Sequence, residues 1–243
     1  MAATESGQFN GGVSGRISEI PLFPLDLVLF PQMVQPLHIF EERYLEMIHR
    51  CILERLPFGI VLVSEADSSE NRVETFRVGC TARIEHFEHL PDGRINIQIV
   101  GEERFRLLDT HERMSYRTGV AEFFDDIPAE SETILALTDE VQKLLRDFFT
   151  RYMAMMGHEL ADDEEFDLPD NPSLLSFVAA RALPITNEEK QALLAENDLE
   201  SRLITERDTL LREVTRLRRT AETQQIVWKP LAPDAFASFL CPN

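Results

Sequence analysis

Lysine is nearly absent from this sequence. Only Lys143, Lys190 and Lys229 occur in 243 residues, and Lys plus Arg total 24 against 43 Asp plus Glu. The formal net charge is -19 at pH 7. A chain of that sign has no general attraction for phosphate backbones or anionic membranes, so a nucleic-acid partner would require a strong local basic patch. Cysteine is also scarce. Cys51, Cys80 and Cys241 are odd in number, far apart and without a CxxC pair. That pattern argues against a disulfide framework and a structural zinc site, and for a reducing compartment. No apolar run approaches the roughly 20 residues of a transmembrane helix. The opening MAATESGQFNGGVSGR lacks the apolar core of a secretory signal and reads as a disordered arm over residues 1–16. The expectation is a cytoplasmic protein that does not engage membranes.

Catalytic signatures are missing as well. There is no GxxxxGK[ST] phosphate loop and no GxSxG nucleophile elbow. HERMS (His111 to Ser115) and HELAD (His158 to Asp162) begin like zinc-protease motifs. Each lacks the second imidazole one helical turn on, so neither holds a metal. His86 and His89 stand three apart in a strand-like stretch, which points them to opposite faces and makes them surface histidines. A Ser–Lys dyad needs a buried lysine, whereas Lys143 and Lys190 read as solvent-facing and Lys229 lies in the tail. The expected catalytic residues, metal ligands and cofactors are therefore none.

Glycine divides the chain. All ten glycines fall at or before Gly157. Glycine marks turns, bulges and close backbone approaches, so the first half is expected to be turn-rich and the second helical. FGIVLV (Phe58 to Val63) reads as a buried strand. VGCTARIEHF alternates, with Val78, Cys80, Ala82 and Ile84 on one face. Asp92-Gly93 signals a hairpin, after which Ile95, Ile97 and Ile99 alternate with polar residues. Gly101 reads as a bulge or tight bend. Phe105 and Leu107 then face in, with Arg104 and Arg106 facing out. TGVAEFF (Thr118 to Phe124) is a further strand. One helix interrupts, from near Glu41 to about Leu53, with Tyr44, Leu45, Ile48 and Ile52 inward. Many short strands with one helix predict a small barrel or strongly curved sheet over residues 17–128.

Residues 129–223 read as helices. From Glu132 to Met156, Ile134, Leu137, Val141, Leu144, Phe148, Tyr152 and Met155 recur at helical spacing. HELADDEEFDLPDNP carries seven acidic residues and two prolines and reads as a loop. Ser173 to Ala182 is a short helix. Thr186 and Glu189 form a capping box for a long last helix, from about Asn187 to about Thr223. Leu199, Leu203, Leu210, Val214 and Leu217 line one side of it. Its six arginines between Arg202 and Arg219 interleave with Glu206, Asp208 and Glu213, which favours ion pairs over a nucleic-acid face. Leu203, Leu210 and Leu217 repeat every seven residues, a pattern open to self-association but better suited to packing within the chain. The tail, residues 224–243, holds Trp228, Phe236, Phe239 and Leu240 and is expected to dock on its own domain or a neighbouring subunit.

Pro21, Pro24, Pro31 and Pro36 cut the first strands into short extended pieces, because proline and its predecessor disfavour helix. In this setting IPLFPLDLVLFPQMVQPLHIFEERYLEMI resembles the start of the Lon N-terminal domain, the substrate-binding domain of Lon proteases. FGIVLV, the hairpin through Gly101, Arg104 and Phe105, and NPSLLSFVAARALPITNEEKQALLAENDLESRL resemble further parts of that family in order, from about Ile17 to Leu217. The resemblance implies an α+β fold: a PUA-like small β-barrel followed by a C-terminal helical bundle with one long final helix. It carries neither the ATPase nor the Ser–Lys protease module.

The implied function is a non-enzymatic module that binds polypeptides, unfolded or damaged ones among them, or serves as an adaptor to a partner protein. The alternative is a PUA-like RNA binder, which the charge disfavours. The candidate contact surface is the FPQMV loop: Phe30, Pro31, Gln32, Met33 and Val34, with Met33 as an adaptable apolar contact. The competing reading of Met33 is simple packing on the barrel.

Overall fold

The protein is described by a computed structural model over residues 15–64, 75–112, 114–128, 131–157 and 166–223. The expectations for most of the N-terminal arm, the tail with Trp228, and much of the acidic loop fall outside those residues.

Six strands and five helices follow in the order β1 (Ile17–Leu25), β2 (Val34–Ile39), α1 (Glu42–Glu54), β3 (Phe58–Val63), β4 (Thr75–His89), β5 (Ile95–His111), β6 (Thr118–Phe123), α2 (Glu132–Met155), α3 (Pro172–Ala182), α4 (Asn187–Ala195) and α5 (Leu199–Thr223). The sheet order is β2-β5-β4-β3-β1-β6, and β6 also pairs with β5. The ladders of β5, β4, β3, β1 and β6 therefore run round and return to their start, with β2 added on the first half of β5. Strand β1 makes this possible by changing partner midway. Ile17 to Pro21 run antiparallel to β6, and Leu22 to Leu25 run parallel to β3. Pro21, which has no N–H to give, stands at that change.

Alternation decides what faces inward. Ile95, Ile97 and Ile99 of β5 pack with Phe23, Phe58 and the buried face of α1, Tyr44, Met47, Ile48 and Cys51. Met47 and Cys51 extend the sequence-predicted face, while Leu45 and Ile52 sit at its margin. On the other side of the strands, Ile20, Leu22, Val61, Phe105, Leu107 and Ala121 make a second cluster. The helices bury Leu137, Val141, Leu145, Phe148 and Phe149 of α2 against Leu203, Leu210, Val214 and Leu217 of α5. That third cluster also takes in Val28, Phe30, Leu62 and Val78 from the strand region, so an apolar core is shared between strands and helices. The leucine heptad of α5 is thus buried within its own chain.

The structure corrects the long final helix. It is two helices, α4 and α5, separated at Glu196, Asn197 and Asp198. Glu196 is extended, with φ -71° and ψ 123°. Asp198 then caps α5: its Oδ1 accepts the Glu200 N–H at 3.1 Å and its Oδ2 accepts the Ser201 hydroxyl at 2.9 Å. The capping box at the start of α4 forms as expected, with Thr186 and Glu189 satisfying each other's backbone N–H groups.

Candidate functional site

The segment Phe124 to Pro128 leaves β6 and leads to α2. Its Asp126 reaches into the junction between strands and helices. Arg202 of α5 grips that carboxylate with both ends of its fork, Nη1 to Oδ1 and Nη2 to Oδ2, each at 2.7 Å. Arg104 of β5 donates Nη2 to Oδ1 at 2.5 Å, and the Ser173 hydroxyl of α3 donates to Oδ2 at 2.5 Å. Arg202 is wholly buried, and all five of its N–H donors are used. Besides Asp126 they reach the Ser176 hydroxyl, the Glu196 carbonyl and, more weakly at 3.4 Å, the Ser173 hydroxyl. Arg104 spends Nη1 on the carbonyls of Leu194 and Glu196, at 3.2 and 2.7 Å. These are carbonyls freed where α4 ends, so the break between α4 and α5 and the two buried arginines satisfy one another. The Phe177 ring lies under both cations, 5.2 Å from the Arg104 guanidinium carbon and 4.3 Å from that of Arg202.

Electrostatics sharpen this cluster. Burial alone would lift the Asp126 carboxyl. The hydrogen bonds and charge of Arg202, the Ser173 hydroxyl and Arg104 outweigh it and hold Asp126 below the ordinary carboxylate range. Burial lowers the Arg104 guanidinium despite its partner Asp126. Glu206, one turn beyond Arg202, is fully buried. Burial pushes its carboxyl well above the ordinary value against the opposing Ser176 hydrogen bond and Arg202 charge. Its Oε1 accepts the Ser176 hydroxyl at 2.7 Å, and its Oε2 has no hydrogen-bond partner among the described residues. A neutral carboxyl at Glu206 is the state this environment favours.

Against this cluster lies an open cleft of about 490 Å³. Its apolar lining includes Pro31, Phe124, Ile127, Pro128, Phe177 and Leu199, and its polar lining includes Glu102, Glu103, Asp125, Asp126 and Ser173. Arg104 is the cationic residue of the lining, and both of its terminal nitrogens are engaged as described.

The FPQMV turn forms one border of the cleft. The Phe30 carbonyl accepts the Met33 N–H at 3.1 Å, closing a tight turn over Pro31 and Gln32. Pro31 suits the first turn position, and Gln32 adopts a left-handed φ of 61°. The turn is fixed to β5, since Gly101 accepts the Gln32 N–H at 2.8 Å and donates to the Met33 carbonyl at 2.9 Å. A Cβ at Gly101 would lie 2.2 Å from the Phe30 carbonyl oxygen, so only glycine allows this approach. The register also shifts here: Thr81 of β4 faces two residues of β5, Glu102 and Glu103, which is the expected bulge.

Comparison with known proteins assigns the architecture. Residues 19–212 match the family model of the ATP-dependent protease La (LON) substrate-binding domain. The chain belongs to this Lon domain family. It is 26% identical over 200 residues to Lon protease 2 of Desulfotalea psychrophila, covering 80% of this chain and 25% of that one. It is 27% identical over 191 residues to Lon protease of Escherichia coli K12, covering 76% and 24%. The chain thus spans about a quarter of the length of these relatives. Among solved structures, the fold resembles the N-terminal domain of Mycobacterium avium complex Lon protease, with a TM-score of 0.60, 21% identity and coverage of 82% and 98%. It also resembles a Lon N-terminal domain protein from Xanthomonas campestris, with a TM-score of 0.54, 23% identity and coverage of 77% and 96%.

Within this Lon domain the sequence-predicted contact residues do not share one environment. Phe30 is 1% exposed, with its ring 6.1 Å from Phe177. It anchors the turn from below and offers no surface, because the shared core closes over it. Gln32 is exposed, while Pro31, Met33 and Val34 are half-buried. Met33 packs on both the helical cluster and the α1 cluster. Three other expectations need correction. Arg104 does not face solvent, because the helices cover the side of β5 opposite Phe105. Arg202 is in an ion pair, as expected, but with Asp126 and not with the interleaved Glu206, and Arg202 and Glu206 are both buried. Lys190 is half-buried, its Nζ donating to the Arg181 carbonyl at 3.3 Å, and burial together with the Arg181 charge pushes its amine pKa down. The outer arginines of α5 do form ion pairs: Arg207 with Glu140 and Asp208, Arg216 with Glu213, and Arg218 with Asp147.

The strand edges are guarded. Arg83 to His89 of β4 pair with β5 alone, but a register shift between Ile84 and His86 and the charges of Glu85 and Glu88 blunt that edge. The outer edge of β2 contains Pro36, which cannot donate to a new ladder.

Proposed function

We infer that this Lon-domain chain is a non-catalytic module that recognises polypeptides, with its contact surface centred on the Pro31–Val34 turn and the cleft beside it. The single observation that carries this reading is the family match over residues 19–212, whose model describes a substrate-binding domain. The local structure supports the placement. The turn is rigidly held on Gly101, and it borders an open, partly apolar cleft of the kind that takes side chains. The guarded edges of β2 and β4 make strand addition the weaker mode of capture. The cyclic ladder of β1, β3, β4, β5 and β6 supports reading the strand region as a small PUA-like barrel, with residues 129–223 as its helical partner. A cytoplasmic setting is part of this reading, and the negative net charge fits it. Titration of the purified protein with unfolded casein tests the function. Saturable binding with slowed amide exchange in residues 31–34 is expected. Binding that leaves those amides unchanged removes the placement, and absence of binding removes the function.

A further inference from the structure

We propose that the cleft between β5, the Phe124–Pro128 segment and α3 is the subsite for a polypeptide segment that presents an apolar side chain next to lysine or arginine. This deepens the polypeptide-binding reading and rests on it. The floor is apolar and rigid. Phe177 and Leu199 are buried there, and the Phe177 ring is in contact with two guanidinium groups. The lip is apolar and open: Ile127 is 54% exposed, although its backbone N–H is tied to the Asn197 carbonyl at 2.8 Å. An isoleucine held out in water by an anchored backbone is a ready contact surface.

The polar lining determines which flanks fit. Arg104, its cation, is 4% exposed and has both terminal nitrogens engaged by Asp126 and by carbonyls, so it offers an anionic segment little. Asp125 stands exposed at the lip and, among the described residues, in no ion pair. Glu102 is held by Arg83 at 2.7 Å and Glu103 by Arg16 at 2.5 Å. Both arginines are more than half exposed, so these are surface pairs of the weak, exchangeable kind. A ligand cation can take their place at little loss, and Asp125 needs no exchange at all. Cationic flanks on an apolar centre therefore complement the cleft, and acidic flanks oppose it.

The test is fluorescence anisotropy with three short labelled peptides that share a Leu-Phe centre and carry Arg, Ser or Glu flanks, run beside labelled unfolded casein. The Arg-flanked peptide should bind about tenfold tighter than the Glu-flanked one, from two or three weak charge contacts, and high salt should erase the gap. Asp125→Asn should narrow the gap about threefold. Ile127→Asp, at an exposed position where folding is not at issue, should weaken the Ser-flanked peptide as well. Equal affinities for the three peptides, or wild-type binding by both variants, would overturn the subsite while casein binding kept the broader reading intact. Failure of casein itself to bind would overturn the broader reading.

Discussion

Asp126 is the residue on which the junction turns. It accepts from Arg104, Arg202 and Ser173, on three separate elements, at distances from 2.5 to 2.7 Å. Removing it leaves two buried guanidinium groups without their counter-ion. Asp126→Ala should therefore cost about 3–5 kcal/mol in urea unfolding, far beyond a surface pair. Arg202→Met alone should also destabilise. The double variant should lose less than the sum of the two, because the second change removes a group already orphaned. Additive losses would mean that the pair is not coupled. Glu206 supplies a pH signature. Its folded carboxyl is raised, so the stability linked to its proton is complete below the unfolded carboxylate range near pH ~4.3. That stability falls as pH climbs through the folded value. Asp126 works the other way: its stability is present above the unfolded value and is lost as pH falls through the folded one. Glu206→Gln should flatten the loss of stability, read in denaturant midpoints, as pH rises above the unfolded carboxylate range, and leave the acid limb set by Asp126 unchanged. An unaltered pH profile would show that the proton on Glu206 contributes nothing to folding. Much of this cluster could be found in the sequence in principle. Arg202 and Glu206 fall at helical spacing with Leu199, Leu203 and Leu210, and so on the buried face. Their charge hid that fact, since a charged residue is buried only with partners, and the partners lie far away in the chain.

At the scale of elements, the sequence pattern located strands well and covering layers poorly. Alternation along β5 correctly set Arg104 opposite Phe105. Period two says that a side chain points to the other face, not what lies on that face, and here α3 and the end of α4 cover it. The break between α4 and α5 was legible in Glu196-Asn197-Asp198, an N-cap signal inside a run of good helix formers. The apolar periodicity on either side masked it. Gly101 is the element-level test. Gly101→Ala puts a methyl group 2.2 Å from the Phe30 carbonyl oxygen. It should destabilise by about 1–3 kcal/mol, through overpacking of a turn that has no room to retreat. The result should be a melting temperature lower by several degrees. Thr186→Ala, which removes the α4 capping box, should cost about 1 kcal/mol with no effect on ligand contacts. If the glycine variant kept wild-type stability, the close approach of turn and strand would be wrong.

For the whole molecule, the two-part grammar of the chain, glycine-rich strands and then glycine-free helices, matches the order of elements. It did not reveal that the parts share a core. Phe30 looked like a surface contact beside Met33 because FPQMV reads as a turn, yet its ring is built into the packing around Phe177. Long-range burial of this kind depends on topology, which a local pattern does not carry. The buried cysteines fit the same picture. Burial pushes the Cys51 thiol up to about 11 and the Cys80 thiol higher still, so both are inert packing groups at neutral pH. What remains is a rigid surface, the Pro31–Val34 turn and the cleft beside it, on a fold whose family binds substrates. Hydrogen exchange with and without saturating unfolded casein tests the central claim most directly. Slowed exchange confined to residues 31–34 and 124–128 and the start of α3 is the expected result, and unchanged exchange throughout these segments under saturating casein would contradict it.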